Sequence, residues 1–283
     1  MKVSDAVRRA AYGAFGFVDG GHDLWHAGLR ALSPPMASPR VHIAARELKG
    51  SLSSYASKFG LLELHLTVQA GETAASPRTN PTLKTLRSWR KEAGPAFEFC
   101  IVAPEGLRAP RPSDQLNREA DATLAAVDAV QARTLLLPTG SDCTPSPVWR
   151  DRLAKLVDRL RRDGTQIIWE PSGLWEAEQA AVFAKKLGMV LCCDPFQSGV
   201  PQGPVAYLRL RALGETRTFS DERIQALADE LRDRREVYVV VEAPRALATA
   251  QALGVMMNQP ARAAASTVVV SRLAGANASD EEE

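Results

Sequence analysis

The stretch Gln166-Ile167-Ile168-Trp169-Glu170-Pro171 is an apolar strand pattern that ends in a carboxylate and is then stopped by a proline. Proline has no backbone N–H for a strand ladder, so strand pairing should end there. A helical pattern begins soon afterwards, at Trp175. In α/β folds, a carboxylate at the C-terminal end of a strand that leads into a helix lies on the face that carries chemistry. The stretch therefore predicts both an α/β fold and the neighbourhood of a site.

The same pattern recurs along the chain, at Leu61-Leu62-Glu63-Leu64 and at Leu191-Cys192-Cys193-Asp194-Pro195. Short apolar runs rich in β-branched or aromatic residues are typical of buried strands. Eight such runs are predicted as strands: Val41–Ala45, Leu61–Thr67, Phe97–Val102, Thr134–Leu137, Gln166–Glu170, Val190–Asp194, Val205–Leu210 and Val237–Val241.

Helical patterns lie between most of these strands, such as Asp114–Val130, for which Asp114 is the predicted N-cap. Strand followed by helix, about eight times, predicts a TIM-type (β/α)8 barrel. The link between residues 194 and 205 is rich in glycine and proline, so it is interpreted as a loop and one helix is expected to be missing. A doubly wound open sheet is the alternative, but the first strand lacks a following glycine-rich loop.

Three regions are expected. Residues 1–40 form an N-terminal extension and linker, in which Val3–Phe17 has the pattern of an amphipathic helix. Residues 41–257 form the barrel. Residues 258–283 form a C-terminal tail whose acidic end is predicted to be disordered.

Composition narrows the class of protein. The chain has 283 residues, 45% hydrophobic and 24% charged, with a net charge of +2, which argues against nucleic acid or an anionic membrane as partner. No apolar run reaches the roughly 20 residues of a membrane helix. The four cysteines have no C-x-x-C spacing, which favours free thiols and a reducing, cytoplasmic location. The oligomeric state is not indicated.

Several motifs, in this order, resemble those of the YecE-like family (DUF72), a group of TIM-barrel proteins of unknown function. The similar stretches cover roughly residues 41–253: Tyr55-Ala56-Ser57-Lys58-Phe59, Leu62-Glu63-Leu64, Leu83–Trp89, Phe97–Pro104, Leu135–Pro138, Trp169-Glu170-Pro171, Val205–Leu210 and Val237–Val241. The resemblance implies a barrel fold but no particular reaction.

The chain departs from the family pattern at several polar positions. The family typically has lysine at Val102, glutamine at Leu136 and a pair of asparagines at Glu242-Ala243. Arg211-Ala212 stands where the family usually has histidine and glycine. The resemblance therefore implies a divergent member whose pocket is altered.

Glu63, Glu170 and Asp194 are the candidate catalytic acids, expected near the C-terminal ends of strands two, five and six. Neighbouring carboxylates can divide acid and base roles because burial and repulsion separate their pKa values. They could also hold a divalent cation, although no metal site is assigned. The alternative is that each acid caps a helix or pairs with an arginine.

Five further residues are candidates for ligand binding. Tyr207, Arg209 and Arg211 alternate along one strand, so their side chains should point the same way. Inward arginines suit an anionic ligand, and the alternative is a structural ion pair with Glu170 or Asp194. The other two candidates are His65 and Trp169.

Two functions remain open from the sequence. The first is an enzyme that acts on a small polar or anionic molecule at the C-terminal face, and the second is a barrel without catalysis that serves in binding or as a scaffold. H-E-x-x-H, Walker and G-x-S-x-G motifs do not occur, and no cofactor is assigned. The enzyme hypothesis is favoured if the acids converge on an open cavity. The second hypothesis is favoured if Val102 and Leu136 fill that space, or if arginines neutralise every acid.

Overall fold

The computed structural model describes residues 38–48, 50–66, 81–212 and 218–258. Each predicted strand is present, with ends within two residues of those expected. The predicted helix in the N-terminal extension and the predicted C-terminal tail beyond residue 258 lie outside the described residues. The strands are β1 (Arg40–Ala45), β2 (Leu61–His65), β3 (Glu98–Val102), β4 (Thr134–Pro138), β5 (Gln166–Glu170), β6 (Val190–Cys193), β7 (Val205–Arg211) and β8 (Glu236–Glu242).

Helices alternate with the strands. Their bounds are α1 (Leu52–Ala56), α2 (Leu83–Ala93), α3 (Asp114–Val130), α4 (Pro147–Leu160), α5 (Ala177–Lys186), α6 (Pro195–Ser198), α7 (Asp221–Leu231) and α8 (Ala246–Asn258). Two predictions are corrected in detail. The N-cap of α3 is Ser113, whose hydroxyl accepts from the Leu116 N–H, rather than Asp114. The link after β6 contains a four-residue helix rather than only a loop.

The strands form one parallel sheet in the order β1-β8-β7-β6-β5-β4-β3-β2. The two edges meet, since the Gly60 N–H donates to the Ile43 carbonyl at 3.0 Å across the seam between β1 and β2. This nearly closed order of parallel strands with intervening helices is the predicted TIM-type barrel.

Alternation along the strands divides the core into two layers. Outward side chains pack against the helices, and inward ones fill the barrel centre. Both Val102 and Leu136 are buried in the inner layer, where they occupy the space that a central pocket would need. The other members of this inner cluster are Ala44, Leu61, Cys100, Ile168, Cys192, Val205, Tyr207, Tyr238 and Val240.

Trp169, a predicted ligand-binding residue, belongs to the outer layer and not to the mouth of the barrel. Its ring is fully buried, lies edge-on to Trp175 with centroids 4.9 Å apart, and donates through Nε1 to the Thr139 hydroxyl at 3.1 Å. Neighbours on a strand point to opposite faces, so Trp169 must point away from the interior that Glu170 faces.

Candidate functional site

Strand alternation brings five charged side chains together at the C-terminal mouth of the barrel. They are Glu63 of β2, Glu170 of β5, Arg209 and Arg211 of β7, and Glu242 of β8. Each is in phase with inward-facing apolar residues further down its strand. The mouth therefore carries charge directly above an interior that is filled.

Arg209 is the centre of this cluster. Its Nε donates to Glu170 Oε2 at 3.1 Å, its Nη1 to Glu242 Oε1 at 2.6 Å, and its Nη2 to Glu63 Oε1 at 2.8 Å. Only 6% of its side chain is exposed. Burial alone would lower the pKa of Arg209, but the surrounding carboxylates outweigh it and raise the pKa above its ordinary value.

Arg211 closes a ring of alternating charge with the same acids. Its Nη2 donates to Glu170 Oε1 at 2.5 Å and its Nε to Glu242 Oε2 at 3.2 Å. The second oxygen of each carboxylate is bound by Arg209, so both acids bridge both arginines. Burial acts to raise the pKa of Glu242, but Arg209 and Arg211 outweigh it and keep that pKa below its ordinary value.

The sequence-based candidates did not include Glu242. The signal was present, because Glu242 ends β8 as Glu170 ends β5 and is in phase with Tyr238 and Val240. The ion pair between Arg209 and Glu170, by contrast, is the structural alternative that the sequence had left open.

Glu63 lies one layer deeper and is closed off from solvent. Its side chain is 0% exposed, and its Oε1 accepts from the Tyr207 hydroxyl at 2.5 Å as well as from Arg209. His65 lies two residues further along the same face, with Nε2 3.8 Å from Glu63 Oε2 and about half of its side chain exposed. His65 is thus the solvent-facing neighbour of a buried carboxylate.

The pKa of His65 is lowered by burial and by three nearby guanidinium groups. Partial burial lowers the pKa of His65, Glu63 opposes this, and Arg209, Arg108 and Arg46 lower the pKa further. Arg46 and Arg108 are exposed. Partial burial, with a smaller contribution from the guanidiniums, therefore favours the neutral imidazole.

Asp194 lies outside the cluster, and its hydrogen bonds are those of the capping alternative. Its Oδ1 accepts from the Phe196 N–H at 3.0 Å, and its Oδ2 accepts from the Gln197 amide at 3.1 Å and the Arg211 N–H at 3.3 Å. A carboxylate occupied by the first turn of α6 has the role of an N-cap. The acids that meet at the mouth are Glu63, Glu170 and Glu242.

A groove adjoins the mouth between α1 and α8. Its volume is about 510 Å³. It is lined by Ala45, Arg46, Glu47, Ser54, Tyr55, Lys58, Phe59, Ala212, Val241, Glu242, Ala243, Pro244, Ala246 and Leu247. Glu242 is therefore both a wall of the groove and a member of the charged ring.

The part of the chain that the structure describes contains neither a candidate metal-binding cluster nor a candidate membrane-spanning helix. In residues 38–48, 50–66, 81–212 and 218–258, no group of three or more His, Cys, Asp or Glu side chains has an arrangement that could hold a metal ion. None of the helices in these ranges combines the length and apolar character needed to span a membrane.

Solved structures share this architecture. A DUF72 family protein from Thermotoga maritima MSB8 has a TM-score of 0.56 and 16% identity, over 77% of this chain and 99% of its own. A DUF72 family protein from Enterococcus faecalis V583 has a TM-score of 0.58 and 16% identity, over 80% and 100%. The chain is similar to DUF72 family proteins. The resemblance predicted from its motifs is confirmed in the fold.

The DUF72-like fold is shared more widely. An AP endonuclease, family 2, from Brucella melitensis has a TM-score of 0.51 and 14% identity, over 74% of this chain and 94% of its own. At such identities the likeness concerns the fold alone. No protein-family model and no curated protein sequence matches the chain.

Proposed function

We propose that this barrel binds a small anionic molecule at its C-terminal mouth and that Arg211 contacts the anion. The supporting observation is the closed ring of two guanidiniums and two carboxylates. It fixes Arg211 through Nε and Nη2, while 42% of the Arg211 side chain remains exposed. Among the described residues, Nη1 of Arg211 has no hydrogen-bond partner. A guanidinium held in place with a donor facing solvent is suited to bind an anion.

The charges around His65 support an anionic rather than a cationic ligand. Of the charged groups that influence its pKa, three are guanidiniums and one is a carboxylate. Arg46 and Arg108 have no ion-pair partner within the described ranges of the chain. Cations clustered at a concave surface raise the local concentration of anions.

The acids of the mouth fit a supporting role better than an acid–base role. Both oxygens of Glu170 and of Glu242 accept hydrogen bonds from arginines. Glu63 is enclosed below them. Carboxylate oxygens that already accept hydrogen bonds from guanidiniums are not free to contact a bound molecule. The three acids therefore orient the arginines.

A second candidate function is favoured by one observation, the position of His65. Its imidazole is partly exposed at the mouth and lies 3.8 Å from the buried Glu63 carboxylate. A neutral histidine beside a carboxylate can accept a proton from a bound molecule. This enzyme hypothesis requires that His65→Gln abolish turnover of a bound molecule while leaving its affinity within about threefold, as expected for loss of a group that acts only in the transition state.

The binding proposal is tested by titrating inorganic phosphate into the protein by isothermal calorimetry. Arg211→Gln should weaken binding about tenfold or more, because charge-assisted hydrogen bonds contribute about 1.5–3 kcal/mol. Arg118→Gln is the matched control, because Arg118 is an exposed arginine of α3 on the outer surface. Equal affinities of the wild type and Arg211→Gln, or an equal loss in Arg118→Gln, would refute the role of Arg211.

A further inference from the structure

The geometry points to an amphipathic anion as the ligand: its charged group lies at the mouth, and its aryl or alkyl body lies in the groove between α1 and α8. This inference rests on the proposed function and specifies the class of molecule that the site takes. The groove volume of about 510 Å³ falls within the range of about 300–1,000 Å³ that is usual for small-molecule sites.

The floor of the groove is apolar. Phe59 and Leu247 contribute partly exposed hydrocarbon surface, and the largely buried Val241 and Tyr55 lie behind it. The Tyr55 hydroxyl is already used: it accepts from the Ala45 N–H at 3.0 Å and donates to the Ala45 carbonyl at 3.2 Å. Tyr55 therefore adds no free polar atom to the groove. Such a floor favours an apolar body over a sugar or another polyhydroxylated group.

The groove meets the charged mouth at Glu242, which lines the groove and contacts Arg209 and Arg211. Arg46 lines the groove and also acts electrostatically on His65. Both oxygens of Glu242 accept hydrogen bonds from Arg209 and Arg211, which weakens its repulsion of an anion. One small molecule can therefore contact the mouth with its head and the groove with its tail.

The rim of the groove favours a negative ligand. Arg46 and Lys58 lie on it, opposed by Glu47. The fourth charged lining residue is Glu242, whose oxygens are bound by the two arginines of the mouth. Neither Arg46 nor Lys58 has an ion-pair partner in the described part of the chain. Apolar surface bordered by unpaired cations binds amphipathic anions more tightly than neutral molecules of the same shape.

Three probes separate the two parts of the site. They are 4-phenylbutyrate, its neutral amide 4-phenylbutyramide, and inorganic phosphate, each titrated into the full chain by calorimetry. The acid should bind about tenfold or more tightly than phosphate, because burial of roughly 60 Å² of apolar surface corresponds to about that factor. It should also bind about tenfold or more tightly than the amide, because only the carboxylate makes charge-assisted hydrogen bonds, which contribute about 1.5–3 kcal/mol. Equal affinity for the acid and the amide would overturn the inference.

A bulky side chain in the groove should remove only the contribution that the apolar body of the ligand makes to affinity. Ala246→Trp places an indole among the lining residues of α8, and Ala248→Trp, on the exposed side of the same helix, is the matched control. We expect Ala246→Trp to reduce 4-phenylbutyrate affinity to that of phosphate, and Ala248→Trp to leave it unchanged. Should Ala246→Trp not fold, Ser54→Trp blocks the opposite wall from an exposed position of α1.

The outcomes distinguish the inference from the proposed function. Phosphate binding that depends on Arg211, without tighter binding of 4-phenylbutyrate, would overturn the groove inference alone. Failure of both anions to bind would overturn the proposed function as well. Tight binding of 4-phenylbutyrate that survives both Ala246→Trp and Ser54→Trp would place the tail elsewhere and reject the groove.

Discussion

Both ends of the barrel contain buried carboxylates bridged by arginine, but the position of the arginine differs. At the C-terminal mouth, Arg209 lies inside the barrel, 6% exposed, with acids around it. At the N-terminal end, Arg133 precedes β4 and is 37% exposed. It reaches inward to Glu98 at 2.9 Å and Glu236 at 2.7 Å. The first network is built around a buried cation, and the second is closed by a cation at the surface.

The networks also differ in their second arginine. Arg211 is held at the mouth by hydrogen bonds to two carboxylates and keeps an exposed donor. Arg40 approaches Glu236 at only 3.6 Å, at an oxygen that Arg133 already contacts, and is 57% exposed. An exposed charge that is fixed can recognise a ligand, whereas a loosely held one contributes little. The proposed site therefore lies on the face that is usually functional in such barrels, and the second network lies on the face that is usually stabilising.

The largest expected effect is the loss of stability when the central arginine of a network is removed, and this loss should differ between the two ends. Arg209→Gln leaves Glu63 buried without its guanidinium, and loss of one partner from a buried ion pair is expected to cost about 3–5 kcal/mol. Arg133→Gln should cost about 1–2 kcal/mol, because water can reach the acids where Arg133 was exposed. Urea unfolding monitored by circular dichroism measures both.

The contrast is sharpened by Glu63→Gln in the Arg209→Gln background. A neutral amide at Glu63 should recover part of the lost free energy of unfolding, because the uncompensated buried charge is removed. If Arg133→Gln is as destabilising as Arg209→Gln, or if Glu63→Gln recovers nothing, the distinction between the two networks fails.

The sequence predicts the barrel well because strands leave local signals. Short apolar runs and their spacing identify the eight strands of the described residues, and period-two alternation predicts that Arg209 and Arg211 point together. The same rule also separates two predicted site residues, Trp169 and Glu170. Trp169 and Glu170 are adjacent on β5, so they cannot both face one site.

The site is less predictable because its partners come from distant strands. Glu242 meets Arg209 across a separation of 33 residues, and the pairing depends on closure of the barrel. Arg46 and Lys58 carry no local signal, since exposed cations occur throughout the chain. Asp194 could be either a cap or a site acid in sequence, and only the position of the α6 backbone decides between them.

A second prediction concerns His42, which stacks on Tyr238 at the N-terminal end with ring centroids 5.0 Å apart. Burial lowers its pKa from 6.5 to about 4, Glu236 opposes this, and Arg133 and Arg40 add to it. The unfolded chain therefore binds a proton that the folded chain resists. The titration of His42 does not reduce the free energy of unfolding above pH 6.5. As the pH falls from 6.5 towards 4, it reduces that free energy by up to roughly 3 kcal/mol.

His42→Phe keeps an aromatic ring on Tyr238 and removes the titration. The variant should lose less stability than the wild type between pH 7 and pH 4 in urea unfolding. His65→Phe at the opposite end is the matched control and should change the pH profile less, because 53% of the His65 side chain is exposed. Identical pH profiles for wild type and His42→Phe would show that His42 is not held neutral by burial.

The smallest effect concerns the acids of the two networks, which should respond to pH in opposite directions. At the N-terminal end, burial raises the pKa of Glu98 even though Arg133 lowers it. Its contribution to stability is therefore present below pH 4.5 and is lost as the pH rises through the folded pKa. At the mouth, the arginines hold the pKa of Glu242 low, so its contribution is present above pH 4.5 and is lost as the pH falls.

Glu98→Gln and Glu242→Gln test this directly, because each removes one titrating group and keeps the side-chain shape. The unfolding free energy of the wild type minus that of Glu98→Gln should fall as the pH rises from 4 to 7, because only the wild type loses stability when Glu98 ionises. The difference between wild type and Glu242→Gln should shrink as the pH falls from 5 to 3. Slopes of the same sign would mean that the surface arginine compensates its acids as completely as the buried one does, and the two ends of the barrel would then be electrostatically equivalent.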